Sequence, residues 1–347
     1  MIVAILLAGL LTLSLFFNLG LLLTNSLPDL GGATASHGSR RMQLEEMTVE
    51  PSATASRDKI ALIEVSGMIA DFQLDPSGLT LVKFIGNQFE KAGKDDAVKA
   101  VLLKVDSPGG EVLASDNIYK IIKKFQEDYD KPVVASMGNL AASGGYYVSA
   151  PCTWIVANEL TMTGSIGVIM QSYNLRGLMD RYGVVPMTFK SGKHKDMLSM
   201  SKKPSEIDGE ERKIVEDFIK MTYEKFKTVI KDGRAFAQER TKGAGRKLAD
   251  NWENFADGRI LNGQQAYDLG LVDELGGMDT AIAKAQQLAG IQDAKVVRYN
   301  RPFDIGSLFG LFGKAPSSET TVKVDLGIRL PELKVGQAYY LPSYYTE

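Results

Sequence analysis

Short apolar runs rich in β-branched residues alternate with segments of helical periodicity along this 347-residue chain. The runs at 59–65, 98–105 and 131–137 have the composition of buried strands, and apolar residues at helical spacing follow the first two. Strands that alternate with helices pair mostly in parallel and are joined by right-handed crossovers. The sequence therefore predicts an α/β fold built on a mostly parallel sheet.

The chain beyond residue 160 continues this pattern less regularly. We predict a strand within 163–170, a helix near 175–182, a strand at 184–189 and then a long helix capped by Ser205. The apolar residues spaced along one face of that helix are predicted to pack against the fold. They include Ile207, Ile214, Phe218 and Met221.

Ser143 lies among alanines and glycines, directly after the predicted strand 131–137 and before a short predicted helix. The first N–H groups of a helix lack intrahelical partners, and its dipole favours an anion there, including the oxyanion of a tetrahedral intermediate. Small neighbours also let a substrate backbone approach the hydroxyl closely. Ser143 is therefore a candidate nucleophile. The alternative is a serine that only caps the helix.

A serine nucleophile needs a base at neutral pH. The chain has 2 histidines, and His37 lies in a Gly- and Ser-rich stretch, which leaves His194 or a lysine. A lysine can act only when neutral, which requires desolvation or a nearby positive charge. Lys195, in a glycine-containing turn after the predicted strand 184–189, is the lysine candidate. The spacing alone leaves both alternatives open.

Composition excludes several other classes of function. The net charge of -2 gives no basic footprint for nucleic acid. The single cysteine, Cys152, excludes an intrachain disulfide and leaves the redox compartment open. One cysteine and 2 histidines without zinc-ligand spacing give little support for a metal site. We therefore predict no metal, nucleotide or organic cofactor.

The run 2–23 contains no charged residue and is long enough as a helix to cross a bilayer core of about 30 Å. A signal peptide normally has an apolar region of only about 7–15 residues that follows a positive charge, so we interpret the run as a retained membrane span. The Arg40-Arg41 pair after it weakly favours a cytoplasmic body.

The chain divides by composition into segments of different character. They are a transmembrane anchor at 1–25, a flexible linker at 26–57, a folded domain at 58–302 and a C-terminal tail at 303–347. The tail lacks sustained periodicity, and its role is left open between disorder, contact with the membrane and docking on a neighbouring subunit.

A set of motifs in fixed order resembles the signal peptide peptidase A family, the protease-IV-like serine-lysine peptidases. The motifs are DSPGG at 106–110, ASGGYY at 142–147, TGSIGV at 163–168, SGKHKD at 191–196 and the glycine-punctuated stretch 258–277. The resemblance covers about residues 58–290 in one copy, as in the short, membrane-anchored form. It implies a crotonase/Clp-protease-like superhelix of ββα repeats in a homo-oligomeric ring. It also implies a peptidase domain outside the cytoplasm, at the cell membrane, that degrades remnant signal peptides and other unfolded peptides.

The resemblance also implies a role for each candidate residue. Ser143 matches the nucleophile and Lys195 the general base. Ser165 matches the hydroxyl that holds the lysine amine, and the backbone N–H groups of Gly110 and Gly144 match the oxyanion hole. No motif position departs from the family pattern. In short-form members the lysine can reach the serine from an adjacent subunit, and a peptide is expected to bind as an extended strand beside the segment after Gly110.

Two other classes of function are compatible with the same fold. One is a crotonase-fold enzyme that acts on acyl-thioesters through backbone N–H pairs and carboxylates. The other is a non-catalytic membrane scaffold that binds peptides or partner proteins. Replacement of Ser143 separates them, because only peptidase activity depends on that hydroxyl.

Overall fold

The structure, a computed structural model, describes residues 44–73 and 78–301 and the backbone of Tyr339–Tyr340. The predicted anchor at 1–25, the linker before residue 44 and the rest of the predicted tail lie outside the described residues. Among the residues that are described, no helix has the length and apolar character needed to cross a membrane.

Strands and helices alternate along the described chain. The strands are β1 (Glu45–Glu50), β2 (Lys59–Ser66), β3 (Val98–Ser107), β4 (Gly110–Glu111), β5 (Val133–Ala141), β6 (Trp154–Ala157), β7 (Met162–Gly164), β8 (Ile260–Asn262), β9 (Glu274–Leu275), β10 (Lys295–Asn300) and β11 (Tyr339–Tyr340). The helices are α1 (Leu81–Lys94), α2 (Val112–Tyr129), α3 (Gly144–Ser149), α4 (Arg176–Arg181), α5 (Gly209–Arg240), α6 (Gly263–Asp268) and α7 (Met278–Ala289), with short 3-10 helices at Pro204–Glu206 and Trp252–Phe255.

A 9-stranded sheet forms the centre of the domain, with its main path in the order β1-β10-β2-β3-β5-β6-β9. Every pair along this path from β10 to β9 is parallel, whereas β1 pairs with β10 in the antiparallel direction. The strand β7 pairs with β5, and β8 pairs with β7. The predicted α/β class with a mostly parallel sheet is confirmed.

Helices cover both faces of the sheet, so its central strands are buried almost throughout. Leu102 of β3 belongs to one apolar cluster with Ala281 and Ala285 of α7. Its neighbours Val101 and Leu103 point to the opposite face, where α1 and α3 contact β3. A strand buried on both faces reads as a continuous apolar run, which is why the sequence predicted it.

Part of the predicted linker is an ordered edge strand. All 6 residues of β1 are exposed, so they lack the alternation of buried apolar residues that would mark a strand in the sequence. The Asp293 carboxylate fastens the following segment, because it accepts hydrogen bonds from the Ser52 hydroxyl at 2.6 Å and the Thr54 N–H at 2.7 Å. These bonds hold the pKa of Asp293 well below its usual range.

Residues 171–221, which we call the arm, differ most from expectation. The predicted strand at 184–189 is wrong: the described chain there pairs with no strand, and Phe189 is 90% exposed. The predicted cap of the long helix is also wrong. Ser205 lies in a 3-10 helix, whereas Asp208 caps α5 by accepting the Glu211 N–H at 2.8 Å.

Only the second half of α5 packs against the sheet domain. Phe226, Val229 and Ile230 are buried, and Phe226 lies against the ring of Tyr147 from α3, with ring centroids 5.0 Å apart. The apolar residues predicted to be buried in the first half of α5, and Ile207 just before it, are exposed instead. They are Ile207, Ile214, Phe218 and Met221, at 37%, 39%, 43% and 64% exposure.

Candidate active site

Ser143 lies in a tight turn between the end of β5 and the start of α3. Its backbone has φ +53° and ψ −115°, a conformation that non-glycine residues rarely adopt and that costs about 1–3 kcal/mol. Hydrogen bonds on both sides hold it there: the Ser143 N–H donates to Gly164 O at 2.8 Å, and the Tyr147 N–H donates to Ser143 O at 2.9 Å. The surrounding fold thus imposes a strained strand-to-helix turn on a serine.

The Ser143 hydroxyl is fully buried and has no hydrogen-bond partner within the described part of the chain. An unpaired buried hydroxyl typically costs about 1–3 kcal/mol, so it calls for a functional explanation. A capping serine would accept a backbone N–H from the first turn of the helix, and Ser143 makes no such bond with α3. The capping alternative therefore does not explain this residue.

Close backbone packing brings Gly110 and Gly144 together beside this turn. A Cβ on Gly144 would lie 3.1 Å from the Gly110 nitrogen and 2.7 Å from Ser115 Oγ. A Cβ on Gly110 would lie 1.8 Å from the carbonyl oxygen of Ile69. Only glycine fits at either position. The two N–H groups assigned to an oxyanion hole are thus neighbours, and Gly144 directly follows Ser143.

Ser165 lies next to the same turn, at the end of β7. It is 4% exposed with φ +51°, and its N–H donates to Arg259 O at 2.7 Å. The preceding residue, Gly164, provides the carbonyl that accepts the Ser143 N–H. The structure therefore brings Ser165 beside Ser143, as the sequence motif suggests.

Lys195 lies in an exposed turn of the arm, whereas Ser143 and Ser165 are buried. Its N–H donates to Gly192 O at 3.2 Å. Within the described residues, no hydrogen bond joins its ammonium group to the Ser143 hydroxyl. One copy of the chain therefore groups Ser143, Gly110, Gly144 and Ser165, and leaves Lys195 exposed.

His194, the other candidate base, faces α5 rather than Ser143. Its Nε2 lies 3.5 Å from Glu210 Oε1. One ligand atom each from His194, Asp208 and Glu211 lie within 4.8 Å of one another, close enough for a metal ion. Lysine ammonium groups already neutralise both of those carboxylates, with Lys193 on Asp208 at 3.0 Å and Lys202 on Glu211.

The tyrosines that follow Ser143, Tyr146 and Tyr147, are core residues. Both are fully buried: the Tyr146 hydroxyl donates to Leu271 O at 2.8 Å and the Tyr147 hydroxyl to Asp116 at 2.7 Å. Burial raises the pKa of Tyr146 well above its usual value. These bonds fix α3, and with it the Ser143 turn.

The buried ion pair between Arg234 and Asp273 was not predicted from the sequence. The Arg234 guanidinium of α5 binds the Asp273 carboxylate, which also accepts the Ile155 N–H at 2.8 Å and the Arg246 N–H at 3.0 Å. Arg234 lies one residue after Gly233, where a Cβ would meet the carbonyl oxygen of Ala150 at 2.4 Å. An arginine inside an amphipathic helix gives no signal by which the sequence alone could mark it as buried.

The second missed feature is a strand from the predicted tail. Tyr339–Tyr340 forms β11, which pairs in the antiparallel direction with β4, so that Tyr340 lies opposite Gly110 and Tyr339 opposite Glu111. β11 therefore pairs along the edge of β4, a strand that begins at Gly110, one of the predicted oxyanion-hole residues. A two-residue strand is too short to show a periodic pattern in the sequence.

Comparison with known proteins identifies the family of this chain. The pattern of peptidase family S49 matches residues 125–292. The chain is 38% identical over 262 residues to a protein of Enterococcus faecium provisionally named signal peptide peptidase SppA, over 74% of this chain and 71% of that protein. The chain belongs to peptidase family S49. This S49 chain is also 40% identical over 246 residues to a provisionally named protease of Synechocystis, over 71% and 80% of the two chains.

A more distant relative belongs to the same group of proteases. Protease 4 of Haemophilus influenzae is 32% identical to this S49 chain over 234 residues, which make up 67% of this chain and 35% of that protein. Family S49 is a serine protease family. The predicted family resemblance is thus confirmed, and the chain is a serine peptidase.

Proposed function

We propose that this S49 peptidase is a membrane-anchored serine endopeptidase that uses Ser143 and Lys195 as a catalytic dyad. Its substrates are remnant signal peptides and other unfolded peptides. The observation that carries the proposal is the buried, unpaired hydroxyl of Ser143 on a strained turn, with the glycine pair Gly110 and Gly144 beside it. A nucleophile and an anion-binding pair of N–H groups at one point are what acyl transfer requires.

The pairing of β11 with β4 supports an extended mode of substrate binding. β4 has an edge that accepts another strand through its backbone, in the antiparallel direction and starting at Gly110. A substrate bound in this way presents an extended backbone to Ser143 and not a folded element. Such binding selects for unfolded segments, because a folded strand already uses its backbone groups within its own sheet.

The arm supports a homo-oligomeric assembly in which Lys195 meets a Ser143 hydroxyl across a subunit boundary. Exposed apolar patches of this extent mark protein interfaces. The large exposed apolar residues of the arm are Tyr173, Leu175, Leu178, Tyr182, Val184, Val185, Met187, Phe189, Met200, Ile207, Ile214, Phe218 and Met221. A neighbouring copy that covers this face would also remove water from Lys195, which is what a lysine needs in order to act as a neutral base.

The proposed reaction follows from these positions. The Ser143 oxygen attacks the scissile carbonyl while neutral Lys195 takes the hydroxyl proton, and the N–H groups of Gly110 and Gly144 bind the oxyanion. The proton then passes from Lys195 to the leaving amine. Water hydrolyses the acyl-enzyme with Lys195 again as base.

The charge-free run 2–23 supports the membrane anchor. With the family resemblance, it favours a single-pass protein of the cell membrane whose catalytic domain lies outside the cytoplasm. The weak charge argument from Arg40-Arg41 points the other way, and we give the family resemblance more weight.

The test is hydrolysis of a fluorogenic peptide by the full chain in detergent, compared with Ser143→Ala, Lys195→Ala and His194→Ala. The proposal predicts that the first two variants are inactive and that His194→Ala retains activity. If Ser143→Ala and His194→Ala are the inactive pair, the base is His194 and the Lys195 assignment is wrong. Turnover that survives Ser143→Ala contradicts the nucleophile itself and favours acyl-thioester chemistry, and a silent wild-type protein favours a scaffold.

A further inference from the structure

Glu211 is the buried carboxylate of the arm. It lies in the first turn of α5 and is 3% exposed, although glutamate is almost never fully buried unless it is paired. Its Oε1 accepts the Leu198 N–H at 3.3 Å, and its Oε2 binds the Lys202 ammonium group. Both partners belong to the run of turns that carries Lys195, so Glu211 fastens that run to a helix.

The backbone around Lys195 needs such a fastening. Successive turns close with hydrogen bonds from the Met197 N–H to His194 O at 3.0 Å and from the Ser199 N–H to Asp196 O at 3.1 Å. Between them Leu198 has φ +61°, which a leucine side chain disfavours. The Leu198 N–H donates to the Glu211 carboxylate, which therefore holds this strained residue in place.

A second connection runs through side chains to the residue directly after Lys195. The Lys202 ammonium binds Glu211 and also lies 3.6 Å from Asp196 Oδ1. Asp196 in turn accepts from Lys190 at 2.9 Å. Lys202 is 10% exposed in its side chain, so this connection is shielded from water. The contact with Glu211 raises the pKa of Lys202, and Lys190 lowers that of Asp196.

The other ion pairs between the turns and α5 are exposed. Lys193 reaches Asp208 and Glu210 with 61% of its side chain in water, and Glu210 is 62% exposed. Exposed pairs of this kind contribute little to holding a loop in place. Glu211 is different because it is buried. Without its carboxylate, the Leu198 N–H and the Lys202 ammonium would lose a charged partner that water cannot replace.

We propose that Glu211 is a positioning residue for Lys195, holding the turn that carries the lysine at a fixed place on α5 through Leu198 and Lys202. This inference rests on the proposed function, in which Lys195 is the base. A misplacement of about 1 Å in a catalytic group can cost about 10²-fold in rate. Exposed bonds also tie this run to residues 172–175, from the Leu175 N–H to Met200 O at 2.8 Å and from Asn174 Nδ2 to Lys202 O at 2.8 Å. Glu211 is the buried carboxylate that holds the run to α5.

The test compares steady-state kinetics of Glu211→Ala, Glu211→Gln and Lys202→Met in the full chain. We expect Glu211→Ala to lower kcat by about 10²-fold with KM little changed, because the peptide binds at β4 and the lysine acts in the chemical step. Glu211→Gln keeps an oxygen that can accept the Leu198 N–H, so we expect a smaller loss, about 10-fold. In the double variant Glu211→Gln with Lys202→Met, the losses should not add, because the two side chains act as one unit.

The matched control is Glu216→Gln, which makes the same change of charge at an exposed position of the same helix and should leave kcat unchanged. Light scattering and circular dichroism report whether each variant assembles and folds. If Glu211→Ala fails to fold, Glu211→Gln and Lys202→Met decide the question.

The outcomes separate this inference from the proposed function. If Ser143→Ala and Lys195→Ala are inactive while the Glu211 and Lys202 variants keep the wild-type kcat, the positioning role is wrong and the dyad stands. A rise in KM with unchanged kcat also overturns the positioning role. If Lys195→Ala is active, the dyad itself fails, and the Glu211 inference fails with it.

Discussion

Ser143 combines two unfavourable local features, a disfavoured backbone conformation and a buried hydroxyl without a partner among the described residues. Each typically costs about 1–3 kcal/mol. The bonds from the Ser143 N–H to Gly164 O and from the Tyr147 N–H to Ser143 O hold the backbone in this conformation. Strain of this kind at a strand-to-helix turn holds a nucleophile at a fixed point, with a hydroxyl that is not bonded to its own helix.

Gly144 gives a direct test of the glycine pair. We expect Gly144→Ala to lower kcat/KM by about 10²-fold or more, because the new methyl group would lie 3.1 Å from the Gly110 nitrogen and 2.7 Å from Ser115 Oγ and would displace an oxyanion donor. Kinetics with the fluorogenic peptide measure the loss.

The control for this substitution is Gly177→Ala in α4, where a Cβ meets nothing within 4 Å. We expect it to leave activity unchanged and the fold slightly more stable. Equal activities of Gly144→Ala and Gly177→Ala would show that the space beside Gly110 does not matter to catalysis.

The residue types of this site were predictable, but their conformation was not. A serine among glycines after an apolar run already indicated Ser143, because only small residues allow such close approach of backbones. The positive φ of Ser143 and Ser165 depends on bonds to Gly164 and Arg259. Arg259 is far away in the sequence, so no local pattern could reveal that bond.

At the scale of elements, α5 depends on a carboxylate cap. The Glu211 N–H and then Lys193 hold the pKa of Asp208 down to about 2. A carboxylate whose pKa is lower in the folded state stabilises the fold above its unfolded pKa of about 3.9, and this contribution is lost as the pH falls toward 2.

Asp208→Asn isolates the effect of charge, because asparagine caps a helix about as well as aspartate and does not titrate. We expect the thermal midpoint of the wild type to exceed that of the variant at pH 5, and the gap to close between about pH 4 and pH 2. A gap that stays constant over this range would mean that the Asp208 charge contributes nothing to folding stability.

The elements of the sheet were predictable because their signal is local, whereas those of the arm were not. β3 is buried on both faces and reads as an apolar run. The run at 184–189 has similar composition, yet it forms no strand in the described chain. Composition indicates that such a segment favours burial, but it does not say whether its own chain or another copy provides the cover.

The sheet domain, whose core is buried, carries an arm whose apolar face is exposed. The same spacing that correctly predicts a buried face for the second half of α5 fails for its first half, where Met221 is 64% exposed. Hydrophobic periodicity reports a buried surface in the functional state of a protein, and in our account that state is an assembly of several copies.

Phe189→Glu tests that assembly. Phe189 is 90% exposed, and a charge there should oppose burial against a neighbouring copy. We expect a smaller particle by light scattering and at least a 10-fold loss of peptidase activity, because Lys195 would no longer reach a Ser143 hydroxyl. Val49→Glu on the edge strand β1, where Val49 is 48% exposed, is the control and should change neither quantity. A wild-type protein that is monomeric and fully active would contradict the assembly.

In the proposed reaction the Ser143 oxygen becomes the acyl carrier, with Lys195 as its base. The most direct measurement is mass spectrometry of the full chain after reaction with a fluorophosphonate, which modifies activated serines. We predict a single adduct on Ser143, formed rapidly in the wild type and at least 10²-fold more slowly in Lys195→Ala. An adduct on another residue, or equal rates in the two proteins, would contradict the dyad.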